Sequence, residues 1–126
     1  MNAVLTATAA LALVFGLGQL LIPVPLLGIF GVRLDTTAEL FARAQGGAYL
    51  GYAVFNWLVR GSDAGAQRAA VLADLIVAVT GALISLYTLL VGNGNALILV
   101  WVILFAAFAV WQAYVLWRPS PAPRAG

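Results

Sequence analysis

The residue with the clearest chemical potential in this sequence is Asp74, an acidic residue inside a run of apolar ones. It lies in "AAVLADLIVAVTGALISLYTLLV", residues 69–91, where small and polar side chains follow it at helical spacing. Such a face is expected to point into a helix bundle. The run is long enough to cross a bilayer. A carboxylate inside a membrane span is by default a candidate proton relay or cation ligand. The alternative is a structural role, in which Asp74 is held by amide side chains or by Arg68 and joins helices.

Polar residues of the other apolar runs are predicted to converge on Asp74. Asn56 lies near the end of the second apolar run, residues 38–59, and Gln112 lies in the last turns of the fourth, residues 96–117. Both are therefore predicted in the same membrane leaflet as Asp74. Thr6 and Thr8 of the first run belong to it as well. Asp74, Asn56 and Gln112 are therefore the first candidates for a ligand or proton site.

Glu39 and Arg43 form a second candidate pair. They are four residues apart with the acid first, which is the favourable order for an ion pair on one helix face. One interpretation is that this pair anchors the N-terminal end of its helix at the non-cytoplasmic interface. The other makes Arg43 the anion-recognising group of a small pocket. Gln19 and Gln45, predicted in the same leaflet, would then be its hydrogen-bonding neighbours.

The amino-acid composition excludes several kinds of chemistry. The 126 residues are 64% hydrophobic and 8% charged, with a mean hydropathy of +1.06. All six basic residues are Arg, and the sequence contains no Lys, His or Cys. Disulfides, thiolate nucleophiles, Cys or His metal sites and histidine bases are thus unavailable. The sequence predicts a non-enzymatic protein without metal or cofactor. The net charge of +2 is too small for nucleic-acid binding.

Hydropathy divides the chain into four runs, each near the roughly 20 residues that a helix needs to cross a bilayer. Prolines or glycine-rich turns bound the runs. The predicted spans are residues 3–22, 38–59, 69–91 and 96–117. The predicted fold is an all-α, four-transmembrane-helix antiparallel bundle that forms one domain over residues 1–117. The Pro-rich tail, residues 118–126, is predicted to be disordered.

The connecting segments predict the orientation of the chain. The loop between the second and third runs and the C-terminal tail carry four arginines, against two on the other side. The positive-inside rule therefore places both termini in the cytoplasm, in a cell inner membrane. Residues 22–35, "IPVPLLGIFGVRLD", are too apolar for an ordinary loop. They predict a short re-entrant or interfacial segment with Leu26, Leu27, Ile29 and Phe30 in the headgroup region, followed by Asp35, Thr36 or Thr37 as helix N-cap.

Small residues in the second run predict close helix packing. Gly47 and Gly51 have the spacing that lets two helix backbones approach, with Gly16 and Gly18 of the first run as the expected partners. The same pattern also fits a seam between two copies, so a homo-oligomer or a larger membrane complex is an open alternative. The aromatic residues of the fourth run recur at helical spacing and predict packing or lipid contact rather than a cofactor site.

Several of these residues together resemble a known group of proteins. Pro23 after the first run, the "FGV" turn at residues 30–32, Arg43 followed by Gly46 and Gly47, and Trp57 are similar to features of small bacterial four-helix membrane proteins in the neighbourhood of the DoxX-like families. The resemblance implies a four-helix integral membrane fold in a bacterial inner membrane. It implies no established activity and no catalytic residue.

The function predicted from the sequence is that of a non-enzymatic multi-pass membrane protein, an accessory or assembly subunit in contact with the lipid bilayer. The alternative is a small transporter or a carrier of a lipid or small ligand, which would use Asp74 and Arg43 as its charged groups.

Overall fold

A computed structural model of the protein describes residues 1–118, and this part of the chain is helical without strands. The five helices are α1 (Asn2–Leu21), α2 (Pro23–Gly28), α3 (Thr36–Val59), α4 (Ala64–Leu90) and α5 (Ile98–Trp117). The tail that the sequence predicts to be disordered lies outside the described residues, apart from Arg118.

Three helices, α1, α4 and α5, are long and apolar enough to cross a membrane. Large apolar side chains cover their outer faces, as expected of a protein that contacts lipid rather than water. The 24 residues of α3 are also long enough, but its charged and amide side chains make it less apolar than the other three.

Acidic side chains fix the N-terminal ends of α3 and α4. The carboxylate of Asp35 accepts a hydrogen bond from the Ala38 N–H at 2.7 Å, which confirms Asp35 among the predicted N-caps. Helix α4 begins at Ala64, five residues before the predicted start at 69, because Asp63 accepts hydrogen bonds from two first-turn N–H groups. The Ala66 and Gly65 N–H groups that bind the carboxylate lower the pKa of Asp63 below its usual value.

The long helices pack as two pairs, with α1 along α3 and α4 along α5, and contacts between the pairs are fewer. Small residues allow the close approach within each pair. A Cβ atom on Gly46 would lie 2.5 Å from the Leu20 nitrogen and 2.8 Å from the Gly16 oxygen. In the second pair, a Cβ atom on Gly81 would lie 2.8 Å from the ring of Phe105. Each pair is therefore a helical hairpin with a glycine at its contact.

The glycine at the α1–α3 contact is Gly46, and this corrects part of the sequence-based prediction. Gly16 does receive α3, as predicted, but Gly47 and Gly51 are exposed, and a Cβ atom on either would meet nothing within 4 Å. The helix turns its Gly46 face toward α1, because one residue along a helix changes the direction of a side chain by about 100°. Gly47 and Gly51 therefore take no part in packing among residues 1–118.

Two sets of contacts join the hairpins at opposite ends. At the end that holds the chain's N-terminus, buried apolar side chains of three helices form one cluster: Val4, Leu5, Ala70, Val71 and Leu116. At the other end, the backbone N–H and the side-chain amide of Asn95 donate to the Phe30 and Ile29 carbonyls, each at 2.9 Å. Gly31 makes this contact possible, since its φ is +73° and a side chain there would meet Asn95.

The segment between α1 and α3 is turned more toward the protein than predicted. Leu26 packs against Gly18 of α1, and Leu27 and Phe30 are only partly exposed, whereas Ile29 is 58% exposed. Of the four side chains predicted in the headgroup region, only Ile29 therefore faces outward. Helix α2 starts with Pro23, whose fixed φ suits the first position of a helix.

Candidate functional site

A cavity of about 530 Å³ lies between the two hairpins, bounded by the contacts at either end. Residues of all five helices and of the segment after α2 line it. Its volume falls within the range of small-molecule sites in proteins, about 300–1,000 Å³. Its walls are largely apolar, with a few polar side chains among them.

Asp74 lies at the wall of this cavity and is held from one side by α3. Its side chain is 1% exposed. The hydroxyl of Tyr52 donates to Asp74 Oδ1, and the amide of Asn56 donates to the same oxygen at 3.3 Å. Tyr52 and Asn56 are four residues apart, so they lie on one face of α3, and Asn56 also donates to the Tyr52 carbonyl at 3.1 Å. Helix α3 thus supplies two donors to a single carboxylate oxygen.

The other carboxylate oxygen of Asp74, Oδ2, has no hydrogen-bond partner among residues 1–118. The same holds for four further buried side-chain oxygens in that range: Thr8 Oγ1, Gln19 Oε1, Asn56 Oδ1 and Gln112 Oε1. All of these residues except Asn56 line the cavity. A buried polar atom without a partner costs about 1–3 kcal/mol. The cavity therefore presents several hydrogen-bond acceptors that the described chain does not itself satisfy.

Aromatic rings form one wall of the cavity, centred on Trp101. The ring of Phe15 lies 4.2 Å from that of Trp101, and Phe30 and Phe105 lie at 5.4 and 5.7 Å. Phe108 continues the wall toward Gln112. The sequence predicted packing or lipid contact for the aromatic residues of α5. Here three of them, Trp101, Phe105 and Phe108, line an internal cavity, while Trp111 packs on Phe108 at 5.8 Å.

The exposed lining residues of the cavity lie on α3 and α4: Gln45, Val77, Thr80 and Ile84. These two helices meet at the hydrogen bonds to Asp74 and otherwise make few contacts. On the opposite side, the contact between Phe15 and Trp101 joins α1 to α5. The exposed lining residues therefore indicate an opening of the cavity between α3 and α4.

Arg43 and Glu39 lie away from this cavity. Arg43 donates from Nη2 to Glu39 at 2.8 Å, and from Nη1 to the Leu20 carbonyl at 2.5 Å. Carbonyls at the C-terminal end of a helix lack partners within it and attract positive charge, so Arg43 acts as a cap for α1. Of the residues predicted to surround Arg43, Gln19 and Gln45 both line the cavity and Arg43 does not, and Gln45 also donates to the Tyr49 hydroxyl at 3.2 Å.

The structure thus separates the residues predicted for a site into two groups. Asp74, Gln112 and Gln19 line one cavity with Asn56 directly behind Asp74, whereas Glu39 and Arg43 form the cap at α1. Arg68, proposed as a partner of Asp74, forms no salt bridge in the described part of the chain. Sequence reasoning missed Tyr52, although its spacing of four residues from Asn56 is a signal that would have indicated it.

Among the described residues, the cavity is lined by one carboxylate, three glutamine amides and six hydroxyl groups, and the amides and hydroxyls can both donate and accept hydrogen bonds. No group of three His, Cys, Asp or Glu residues that could hold a metal ion occurs in residues 1–118. The carboxylate can hold a proton or bind a donor group, and the aromatic wall can contact an apolar body. Recognition of a molecule with one polar end is therefore the chemistry that fits these side chains.

Comparison with protein-family models, curated proteins and solved structures finds no match to this chain. The resemblance to DoxX-like proteins stays a prediction from the sequence.

Proposed function

We propose that the protein is a membrane carrier that binds a small amphipathic molecule in the cavity between its two hairpins. The observation that carries the proposal is the free Oδ2 atom of Asp74, a buried carboxylate oxygen at the wall of an apolar cavity. A carboxylate in such surroundings is costly unless a proton or a partner compensates it. Its position in a cavity of ligand size makes a bound molecule the economical partner.

Two further features favour a carrier over an accessory or assembly subunit. An assembly subunit needs no internal cavity, whereas a carrier does. The cavity faces outward between α3 and α4, so an apolar molecule could reach it from the bilayer without crossing water. Arg43 takes no part in this function, because its guanidinium already caps α1. The charged group of the carrier is Asp74 alone.

The proposal includes α3 as the fourth membrane span. At about 1.5 Å per residue, its 24 residues extend over about 36 Å, which exceeds a hydrocarbon core of about 30 Å. Several of its polar side chains have partners: Glu39 pairs with Arg43, and Tyr52 and Asn56 donate to Asp74. At its C-terminal end, the guanidinium of Arg60 lies 3.3 Å from the ring centre of Trp57, a pairing suited to an interface.

With four spans, the distribution of arginines favours both termini in the cytoplasm of a bacterial cell, with the protein in the inner membrane. Helix α2 would then lie at the outer interface. The exposed apolar side chains of Val24 in α2 and of Ile29 directly after it support contact with the headgroup region there.

Binding of 2-naphthylmethanol, a neutral alcohol with an aromatic body, tests the carrier proposal. Isothermal titration calorimetry in dodecyl maltoside would measure its affinity, after subtraction of a titration into micelles alone. We expect Ser85→Trp, which places an indole in the cavity, to lower the affinity at least about tenfold by occupying the site. The matched control is Leu83→Trp on the outer face of α4, where the side chain is 61% exposed.

Binding to the wild type and to Leu83→Trp, with loss in Ser85→Trp, would support the proposal. Equal heats for all three proteins would contradict it, because the alcohol would then be acting on the outer surface. Circular dichroism at 222 nm, recorded for each variant, checks that the helices are retained.

A further inference from the structure

We propose that the molecule bound in this cavity is a primary ammonium amphiphile, with its ammonium on Asp74 and its apolar body along the aromatic wall. This inference rests on the proposed carrier function and adds the chemical class of the ligand. Three observations carry it: the hydrogen-bonding sense of the free groups, the charge of the cavity lining, and the arrangement of polar and apolar walls.

Two buried oxygens at one end of the cavity can only accept hydrogen bonds. Asp74 Oδ2 and Gln112 Oε1 lack a partner within residues 1–118, and the side chains of both residues are 1% exposed. They come from two different helices, α4 and α5. The nearby Thr8 hydroxyl can donate as well as accept, so it does not set the sense of the site. A primary ammonium carries three N–H donors and no acceptor, and its donors therefore match these two oxygens.

Within the described chain, the lining contains a single charged side chain, the carboxylate of Asp74. Arg68, the partner for Asp74 that the sequence suggested, forms no salt bridge within residues 1–118, and Arg43 is paired with Glu39. In a low-dielectric cavity an opposite charge on the ligand strengthens the hydrogen bond. An anionic ligand would meet repulsion from the same carboxylate.

The two donors from α3 determine which oxygen of Asp74 is left to bind the ligand. Tyr52 and Asn56 both donate to Oδ1 of Asp74, on the side of α3. They orient the carboxylate and leave Oδ2 for a further donor. Tyr52 and Asn56 are therefore positioning residues, and Asp74 is the residue that contacts the ligand.

The apolar body of the ligand would pack against the aromatic wall of the cavity. Along α5, Phe108 is one turn from Gln112, Phe105 follows, and Trp101 lies about 16 Å from the level of Gln112 at 1.5 Å per residue. An ammonium at Asp74 thus places an aryl or alkyl group against these rings. The carboxylate at one end and the aromatic wall beside it match the two ends of an amphiphilic amine.

Calorimetric comparison of 2-naphthylmethylamine with 2-naphthylmethanol tests the inference, because the two probes share the naphthyl body and differ in the ammonium. At pH 7, where the amine is protonated, we expect the wild type to bind it at least about tenfold more tightly than the alcohol. In Asp74→Asn, which keeps the shape of the side chain, we expect the amine to lose this advantage. The alcohol should keep its affinity within about twofold.

The outcomes separate the two proposals. Binding of the alcohol at the cavity with no preference for the amine would overturn the ammonium inference and leave the carrier proposal intact. Failure of both probes to distinguish wild type from Ser85→Trp would overturn both. An unchanged amine affinity in Asp74→Asn would also overturn the inference. If Asp74→Asn does not fold, the ratio of amine affinity to alcohol affinity in the wild type decides whether the ammonium inference holds, with Leu83→Trp as the folded control.

Discussion

Asp74 accepts hydrogen bonds on one oxygen and has no partner within residues 1–118 on the other, and the two oxygens fit different proposed roles. The donors of Tyr52 and Asn56 join α4 to α3, as the structural interpretation of Asp74 requires. The free Oδ2 at the cavity wall serves the functional interpretation. The sequence posed these as alternatives, but a carboxylate has two oxygens and can take part in both.

The Tyr52→Phe substitution measures how much the hydrogen bonds to Asp74 Oδ1 stabilise the fold. It removes the hydroxyl donor from Asp74 Oδ1 and leaves Asn56 as the remaining donor, so we expect the free energy of unfolding to fall by about 1–2 kcal/mol. Unfolding by dodecyl sulfate in mixed micelles, followed by circular dichroism, gives this quantity. Tyr87→Phe is the control, since Tyr87 is 66% exposed, and it should change stability by less than about 0.5 kcal/mol. Equal losses in the two variants would argue against a stabilising contact at Asp74.

Residue types allowed some of the site to be predicted and not the rest. A lone carboxylate in an apolar helix is costly toward lipid, so Asp74 could be predicted to face other helices and to attract Asn56, which donates to it. Arg43 was ambiguous, because its partners at the C-terminal end of α1 are backbone carbonyls that no sequence pattern marks. Tyr52 was missed since its ring suits packing as well as it suits hydrogen bonding.

Each helix pair is held by a specific glycine, and the identity of that glycine depends on the rotation of the helix. Gly46 and Gly47 are neighbours, yet one lies against the α1 backbone and the other is exposed. A spacing pattern shows that a helix has a small face without showing which partner covers it. Helix ends were more predictable: Pro23 and the glycine-rich turn after α4 end helices by backbone chemistry alone. The early start of α4 was missed because Asp63 and the polar first turn do not register as hydropathy.

Alanine at Gly46 and at Gly47 should have opposite effects. Gly46→Ala places a methyl group 2.5 Å from the Leu20 nitrogen, so we expect a loss of about 1–3 kcal/mol as α1 and α3 move apart. Gly47→Ala meets nothing within 4 Å and should be neutral or stabilise by up to about 1 kcal/mol through helix propensity. Dodecyl sulfate titrations of both variants make the comparison. A greater loss in Gly47→Ala would refute the assignment of Gly46 to the helix contact.

The N-cap of α4 predicts a dependence of stability on pH. Hydrogen bonds from the Ala66 and Gly65 N–H groups lower the pKa of Asp63 in the folded protein. Asp63 therefore stabilises the fold above its unfolded pKa of about 3.9, and this contribution is lost as the pH falls through the folded-state value. In Asp63→Asn the cap persists without a titrating group. Thermal midpoints between pH 7 and pH 3 should fall more in the wild type than in this variant, and parallel curves would contradict the assignment.

At the scale of the whole molecule, two hairpins meet at their ends and leave a cavity between them. The cluster around Leu5 and Val71 joins them at one end, and the Asn95 contact with Phe30 joins them at the other. The cavity could not be predicted, because aromatic side chains look the same in a sequence whether they fill a core or line a space. Its volume depends on how far the hairpins stand apart, which is decided by contacts as small as Gly31 against Asn95.

The four-span arrangement predicts on which side of the membrane each connection lies. The chain has no Cys, so single cysteines can be placed at Thr37, Ser62 and Asn93 without background labelling. If α3 crosses the bilayer, Thr37→Cys and Asn93→Cys should react with a membrane-impermeant maleimide from the outside of intact cells. Ser62→Cys should react only after the cells are opened, because it lies between α3 and α4 on the arginine-rich side. Labelling of Ser62→Cys together with Thr37→Cys would mean that α3 does not cross. The carrier proposal would then lose its lipid-facing opening, since that opening requires α3 and α4 to stand side by side in the membrane.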